Sequence, residues 1–344
     1  MKKEIKKQSP DYDVVPLEYD DIGVVACQMG TRVLVDPKNP KEGRKQNLDH
    51  MSFLMERAMG ASFSKILQEK RLHLLVFPEF GLTGMNNSWT REEFERIAID
   101  VPGEETEAIG RKAKELDCYV VFCAHTKDRD WPGHYFHSSL IVDPKGEVIH
   151  QHWKAYTRGP GLVEYATTVH DVLDEFVDRY GWDAVWPVAR TPIGNIATFI
   201  CSEGFAPETA RAFAFQGAEI ICWCIAGGGD EYQSGKLRTQ MRAYCGENEV
   251  YGVYCTLSNG GSMIVDPYGR VLNQAVDCRS TVVYDTIPIS SFRAKHKRPY
   301  LRTEIYVASL EHNEGKWPAN MYSKYGVPSS NQDAARLFSK YSRW

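Results

Sequence analysis

Two apolar stretches of the chain are each followed by the same turn motif, D-P-x-G. Residues 139–149 read SLIVDPKGEVI, and residues 262–272 read SMIVDPYGRVL. In a D-P-x-G turn, proline fixes one backbone angle and glycine accepts the left-handed conformation that closes the turn. Both stretches are therefore predicted to be β-hairpins, and their likeness indicates an internal repeat.

The apolar and amphipathic segments that precede the two hairpins correspond as well. Each half of the chain predicts the order strand, helix, strand, helix, strand before its hairpin. The predicted strands are 22–29, 73–77 and 119–124 in the first half and 195–200, 219–225 and 251–257 in the second. The predicted helices are 44–67 and 104–116 in the first half and 207–216 and 237–249 in the second.

A chain that alternates strands and helices pairs its strands in parallel and places its helices on the faces of the sheet. Two such halves stack most simply sheet on sheet, with the helices outside. The sequence therefore predicts an α/β fold, a four-layer α-β-β-α sandwich built from two βαβαβ-hairpin halves. The alternative is that a common hairpin motif recurs by chance.

This layout divides the chain into three regions. We expect an N-terminal extension at 1–20, a domain containing both halves at 21–290, and a C-terminal tail at 291–344. The tail carries a basic stretch, RAKHKRPYLR, and then several aromatic residues. Large aromatic side chains favour burial, so the tail is expected to pack on its own subunit or on a neighbouring one.

The composition is that of an ordinary globular protein, with 43% apolar and 25% charged residues among 344. A net charge of −4 gives no basic footprint for nucleic acid. The longest apolar run, 220–226, is too short to cross a bilayer. An acidic segment rather than an apolar core follows the basic start MKKEIKKQSP. We therefore expect a cytoplasmic protein without nucleic-acid or membrane partners.

The nine cysteines give no sign of a structural framework. Most lie inside apolar runs such as YVVFCAH and IICWCIA, where cysteine is usually a small buried hydrophobe. An odd count without a signal peptide argues against disulfides. The sequence has no CxxC pair and no Cys/His cluster at zinc spacing, so no metal site is expected.

Three short segments place reactive side chains at or just beyond predicted strand ends, where α/β sheets carry their active sites. In LLVFPEFGLTG, proline stops an apolar strand and Glu79 follows, as a poorly solvated candidate for a general base. In VIHQHWKAY, Lys154 ends the strand that leaves the first hairpin. Its ammonium could stabilise an oxyanion. Taken alone, Glu79 could instead be a surface glutamate at a strand end. Lys154 could be a lysine at a strand edge that extends its charged end into solvent.

The third segment, NIATFICSEGFAPE, separates Cys201 from the other cysteines. Cys201 ends an apolar strand, and a polar turn with glycine and proline then opens a helix. A helix N-terminus favours a thiolate, and the backbone N–H groups of such a turn can bind an oxyanion. Cys201 is therefore the candidate nucleophile.

Together, these three segments resemble the nitrilase superfamily of carbon–nitrogen hydrolases, whose members carry Glu, Lys and Cys in this order. The resemblance covers about residues 20–290 and is strongest in FPEFGLTG and in CSEGFAPETAR followed by GAEI. It implies the same sandwich fold. It also implies that Glu79 is the general base, that Cys201 is the nucleophile, and that Lys154 stabilises the tetrahedral intermediate.

The resemblance implies further site residues. The backbone N–H of Ser202 would be a second oxyanion donor, and Glu164 is the candidate for the additional glutamate that many members carry after the lysine. Phe80, Trp153 and Trp223 are predicted to line a pocket for a small or aromatic acyl group. The Ser-Glu-Gly that follows the cysteine is more similar to small-amide amidases than to nitrilases.

The function expected from these residues is hydrolysis of a small amide through a cysteine thioester, with release of an acid and of ammonia or an amine. It needs no cofactor, and the resemblance implies a homodimer or larger homo-oligomer. Nitrile hydrolysis and N-carbamoyl hydrolysis are alternatives in the same superfamily, and a non-catalytic scaffold of the same fold is a more distant one. A dinucleotide-binding protein would need a G-x-G-x-x-G turn after its first strand, which this chain lacks.

Overall fold

A computed structural model describes residues 9–31, 34–66, 72–157, 166–227 and 234–343. Within these ranges it contains thirteen strands and ten α-helices. The strands are β1 Ile22–Gln28, β2 Leu72–Val76, β3 Ile99–Asp100, β4 Tyr119–Lys127, β5 Tyr135–Val142, β6 Val148–Trp153, β7 Ala189–Thr191, β8 Gly194–Ile200, β9 Ile220–Ile225, β10 Tyr251–Thr256, β11 Met263–Val265, β12 Val271–Gln274 and β13 Thr281–Ile287. The helices are α1 Pro40–Ile66, α2 Arg91–Ile97, α3 Glu104–Leu116, α4 Leu173–Tyr180, α5 Pro207–Phe215, α6 Lys236–Asn248, α7 Ile289–Arg293, α8 Thr303–Glu311, α9 Met321–Tyr325 and α10 Asn331–Lys340.

The strands form two sheets that correspond to the two predicted halves. The first sheet has the order β13-β1-β2-β4-β5-β6, with β3 paired to β4, and the second has the order β12-β11-β10-β9-β8-β7. The pairs β1–β2, β2–β4, β8–β9 and β9–β10 are parallel, and both hairpins are antiparallel. The predicted sandwich of two βαβαβ-hairpin halves is confirmed.

Side chains that alternate along each strand separate the layers. In β9, Cys222 and Cys224 face the apolar layer between the two sheets. Trp223 and Ile225 point the other way, into the layer that the second sheet shares with α5 and α6. A hydrogen bond between the buried hydroxyls of Ser139 and Thr198 also joins the two sheets.

Strand β13 was not predicted from the sequence. It follows the second hairpin but pairs antiparallel with β1 of the first sheet, from Ile22 opposite Ile287 to Gln28 opposite Thr281. Its burial is mixed, with only three of its seven residues buried, so the segment TVVYDTI carries a weak apolar signal. The last strand of the second half therefore completes the first sheet.

The chain after β13 has two different environments. Trp317, Tyr322, Phe338 and Tyr341 pack into an aromatic cluster of the same subunit, which includes Trp153 of β6. Helix α8, in contrast, has no buried residue. Along the described stretches of the chain, none of the helices has both the length and the apolar character needed to cross a membrane.

Candidate active site

Glu79 lies just beyond β2, where Pro78 ends the strand. Its side chain is 1% exposed. The next residue, Phe80, has a positive φ of 57° and is also buried. Its ring stacks on the ring of His137 with centroids 4.7 Å apart, which holds this turn against β5. The strand end and the turn together fix the carboxylate in a place without access to bulk water.

The carboxylate of Glu79 is held from both sheets. Lys154 Nζ donates a hydrogen bond to Oε1 at 3.1 Å, and both side chains are buried. The backbone N–H of Ala226, the residue after β9, donates to Oε2 at 3.0 Å. His137 Nδ1 lies 3.7 Å from Oε1. A buried carboxylate needs such partners, and these bring two of the predicted site residues into direct contact.

Cys201 follows the last residue of β8 and has a φ of 47°. This left-handed conformation is uncommon for a residue with a side chain and costs of order 1–3 kcal/mol, so the surroundings must maintain it. Cys201 opens a single helical turn, Cys201–Phe205, and α5 begins two residues later. The thiol is therefore carried on a tight bend between a strand and a helix.

The environment of the thiols separates Cys201 from the other cysteines. Cys201 is half-buried and Cys278 is exposed, whereas the other seven are buried. Burial raises the pKa of the Cys27 and Cys222 thiols well above the ordinary value, which disfavours the reactive thiolate. Cys201 is thus less enclosed than the seven buried cysteines.

The register of the second sheet places Cys201 near Glu79. Ile200 of β8 pairs with Cys224 of β9, so Cys201 and Ala226 leave adjacent parallel strands at the same edge. Ala226 is the residue whose N–H holds the Glu79 carboxylate. The three predicted residues Glu79, Lys154 and Cys201 therefore belong to one region, which both sheets build.

Glu203 is a site residue whose role the sequence did not predict. Its carboxylate is fully buried and accepts from His152 Nε2 at 3.0 and 3.1 Å, from the Ala155 N–H at 2.6 Å and from the Ile200 N–H at 2.7 Å. Ala155 follows Lys154, and Ile200 precedes Cys201. One carboxylate thus joins the segment that carries the lysine to the turn that carries the cysteine. The sequence shows the Ser-Glu-Gly motif, but it does not show which two segments bind its glutamate.

Three side chains bind backbone carbonyl groups of the cysteine turn. Trp223 Nε1 donates to the carbonyl oxygen of Cys201 at 2.9 Å. Tyr156 donates its hydroxyl hydrogen to the carbonyl of Glu203, and Tyr244 donates to that of Gly204, each at 2.7 Å. These bonds come from β9, from the segment after β6 and from α6, so the turn is fixed from three directions.

The remaining predicted residues have varied surroundings. Trp153 stacks on Phe136 at a centroid distance of 4.0 Å, within the aromatic cluster near the C-terminal tail. Ser202 is half-buried. Glu164 lies outside the described residues. Over the described part of the chain, no three His, Cys, Asp or Glu side chains are grouped as metal ligands would be.

Known proteins with related sequences are hydrolases. The family model described as carbon-nitrogen hydrolase matches residues 24–297. A formamidase of Helicobacter acinonychis (strain Sheeba) is 31% identical over 151 residues, which are 43% of this chain and 40% of the relative. A formamidase of Bacillus thuringiensis (strain Al Hakam) is 33% identical over 155 residues, 44% of this chain and 40% of the relative. The chain thus spans 40% of the length of these relatives.

Solved structures of the nitrilase superfamily share the fold. A double mutant of the amidase from Nesterenkonia sp. AN1, in complex with acrylamide, superposes with a TM-score of 0.62 at 17% identity, over 86% of this chain and all of that one. Saccharomyces cerevisiae Nit3, a member of branch 10 of the superfamily, gives a TM-score of 0.61 at 19% identity, over 82% of this chain and 96% of that one. Three observations indicate the same family: the sequence match over 24–297, the two stacked sheets, and the segments that carry glutamate, lysine and cysteine. This chain is a member of the carbon-nitrogen hydrolase family.

Proposed function

We propose that this protein hydrolyses a small amide, with Cys201 as nucleophile, Glu79 as general base and Lys154 as an oxyanion-stabilising cation. The observation that carries the proposal is the buried Glu79–Lys154 pair. Its carboxylate also accepts a hydrogen bond from the backbone N–H of Ala226, the residue after β9. Cys201 leaves the neighbouring strand at the same edge. A base, a cation and a thiol in one water-poor region are the groups that acyl transfer requires.

The reaction follows from these groups. Glu79 accepts the thiol proton of Cys201 as the sulfur attacks the amide carbon. The Lys154 ammonium and the Ser202 N–H stabilise the negative oxygen of the tetrahedral intermediate. The carbon–nitrogen bond then breaks, and Glu79 returns the proton to the departing ammonia or amine, which leaves a thioester. Glu79 next takes a proton from water as the water oxygen attacks the thioester. The carbon–sulfur bond then breaks, and Glu79 returns this proton to the sulfur of Cys201, which releases the carboxylic acid and restores the thiol.

A small aliphatic amide is the substrate class that we propose. The relatives in sequence are formamidases, and the Nesterenkonia amidase binds acrylamide. The alignment with the formamidases covers only part of each protein, so this preference is carried to the present chain as a proposal. We propose further that the protein is cytoplasmic and homo-oligomeric, and that Glu164 is the second glutamate of the active site.

Ammonia release from a panel of compounds tests the proposal. Formamide, acetamide, propionamide and benzamide should be compared with the matching nitriles and N-carbamoyl compounds at equal concentration. We expect ammonia from the small amides and, in rapidly quenched samples, a mass increase on Cys201 equal to the acyl group. Release from nitriles or N-carbamoyl compounds alone would assign the protein to the alternative reactions. No release from any of them would support the non-catalytic scaffold.

The additional site residues are tested separately. Glu164→Gln should lower kcat for the best amide if Glu164 belongs to the active site, and it should leave the melting temperature unchanged.

Phe80→Leu and Trp153→Leu should change the preference between acetamide and benzamide if these rings line the pocket. Equal loss for every amide would indicate that the two rings only support the fold.

A further inference from the structure

The peptide bond between Cys201 and Ser202 is held on one side by Trp223. The indole Nε1–H donates to the Cys201 carbonyl oxygen at 2.9 Å. Trp223 is fully buried, and its ring stacks on Phe199 with centroids 5.3 Å apart. A ring packed in this way cannot follow a moving carbonyl group. The hydrogen bond therefore sets the direction of the carbonyl group.

The Trp223 ring also packs directly on the cysteine turn. A Cβ atom at Gly204 would lie 2.4 Å from Cε2 and from Cζ2 of the indole, well inside contact distance. Any side chain at position 204 would therefore displace the ring. The same Cβ would lie 2.6 Å from Cε2 of Phe199, so the glycine of the Ser-Glu-Gly motif makes room for the stacked pair of Trp223 and Phe199.

The direction of the Cys201 carbonyl determines the direction of the Ser202 N–H. In a trans peptide the C=O and N–H groups point in opposite directions. Among the described residues the one cis peptide bond is Val101–Pro102. Trp223 belongs to the layer between the second sheet and its helices, so the Ser202 N–H points away from that layer. That side faces the first sheet, from which Glu79 reaches the Ala226 N–H.

We infer that Trp223 is a positioning residue that aims the Ser202 N–H at the oxyanion of the tetrahedral intermediate. The inference rests on the proposed function, because it concerns the same intermediate. The positive φ of Cys201 makes such an anchor necessary, since a residue in this conformation relaxes when its contacts are removed. Trp223 thus supports the intermediate through the direction of the Ser202 N–H.

Replacement of Trp223 by an isostere without the N–H group tests this role. Trp223→Phe removes the donor, and incorporation of 3-benzothienylalanine at position 223 removes it with the shape retained. We expect kcat for the best amide to fall about 10- to 100-fold, with KM changed less than about twofold, because an oxyanion donor acts mainly on the transition state. The benzothienyl protein keeps the test valid if the phenylalanine variant does not fold.

A second measurement separates the oxyanion from the thiol. Alkylation of Cys201 by iodoacetamide needs a reachable thiolate but forms no oxyanion, so its rate should be the same in the wild type and both variants. Trp317→Phe is the matched control, because it removes a hydrogen bond of the same kind, from an indole N–H to the Phe338 carbonyl, outside the cysteine turn. Its kcat should stay within about twofold of the wild type, as expected for a loss remote from the oxyanion.

Each result has a distinct meaning. Unchanged kcat in the benzothienyl protein would overturn the inference, and so would a parallel loss of kcat and alkylation rate, because Trp223 would then act on the thiol. An equal loss of kcat in Trp317→Phe would also overturn it. A wild-type protein that releases no ammonia from any amide would instead refute the proposed function.

Discussion

At the scale of single residues, surroundings separate one cysteine from eight others of the same chemistry. Cys201 lies on a strained bend at a strand end, whereas Cys222 lies inside β9 with no exposed surface. The difference comes from position along the strand, which the sequence shows through the polar, glycine-containing turn after Cys201. This part of the site was predictable because strand ends can be recognised from a single segment.

Replacement of Cys201 should abolish turnover. In Cys201→Ala no thioester can form, so ammonia release from the best amide should fall to the uncatalysed rate. Cys222→Ala is the matched control. It should keep wild-type kcat and lower the free energy of unfolding by about 1 kcal/mol, as core substitutions commonly do. Ammonia assays and urea titrations measure the two effects, and turnover by Cys201→Ala would exclude the mechanism.

Stability and activity should require the negative charge of Glu203 as well as its shape. All its partners are donors: the N–H groups of Ala155 and Ile200 and the ring nitrogen of His152. In Glu203→Gln the side-chain NH₂ must face one of them. We expect the free energy of unfolding to fall by about 2 kcal/mol and kcat to fall about 10- to 100-fold through misplacement of the thiol and the lysine.

Glu208→Gln in α5 is the control for this change. It removes the same charge at an exposed position, and its free energy of unfolding should stay within about 0.5 kcal/mol of the wild type. Retention of full activity and stability in Glu203→Gln would contradict the role given to Glu203. The contacts of Glu203 join segments 48 residues apart. The sequence could not predict them, because a single chain does not show which distant donors meet.

At the scale of elements, periodicity predicted the repeated units and missed those with mixed burial. α3 was predicted with its observed bounds, Glu104–Leu116, because its buried residues recur at helical spacing, at positions 105, 106, 109, 110 and 113. Strand β13 was missed because its burial does not alternate cleanly. Its pairing with β1 depends on the meeting of the two halves, which local patterns do not encode.

The short helical turn Val169–Val172 should make stability depend on pH. Asp171 in this turn is buried and accepts hydrogen bonds from the N–H and the hydroxyl of Thr168. Burial raises the pKa of Asp171 from 3.8 to about 6. A raised carboxyl pKa means that the folded state binds the proton more tightly. The contribution of Asp171 to the free energy of unfolding is fully present below pH 3.8 and is lost as the pH rises through about 6.

Asp171→Asn isolates this effect, since the amide does not titrate. The free energy of unfolding of the wild type, relative to Asp171→Asn, should fall by about 3 kcal/mol between pH 4 and pH 7, from roughly two pKa units. Urea titrations at several pH values measure the difference. A difference that is constant across this range, or that grows with pH, would contradict the assignment.

At the scale of the whole molecule, α8 buries none of its residues against the part of the subunit that the structure describes. Ile305 is 62% exposed and Leu310 is 64% exposed, and the helix has nine residues. A helix this short is marginal by itself in water, and its stability normally comes from packing. We therefore expect α8 to be covered by a second subunit in the proposed homo-oligomer.

The combined variant Ile305→Asp and Leu310→Asp should weaken this assembly. Light scattering at micromolar concentration should give a dimer or larger species for the wild type and a monomer for the double variant. Glu304→Gln, on the same helix, should keep the wild-type mass. A monomeric wild type would contradict the homo-oligomer, and an unchanged mass in the double variant would place the interface elsewhere.

The pairing of β13 with β1 has a consequence for synthesis on the ribosome. β1 emerges before β13, its partner on one side, which follows about 260 residues later. Until then β1 has an unpaired edge of seven residues, six of them apolar or small, and such edges pair readily with other chains. Chains truncated before residue 281 should therefore aggregate, and nascent chains should depend on chaperones until the last strand has been released.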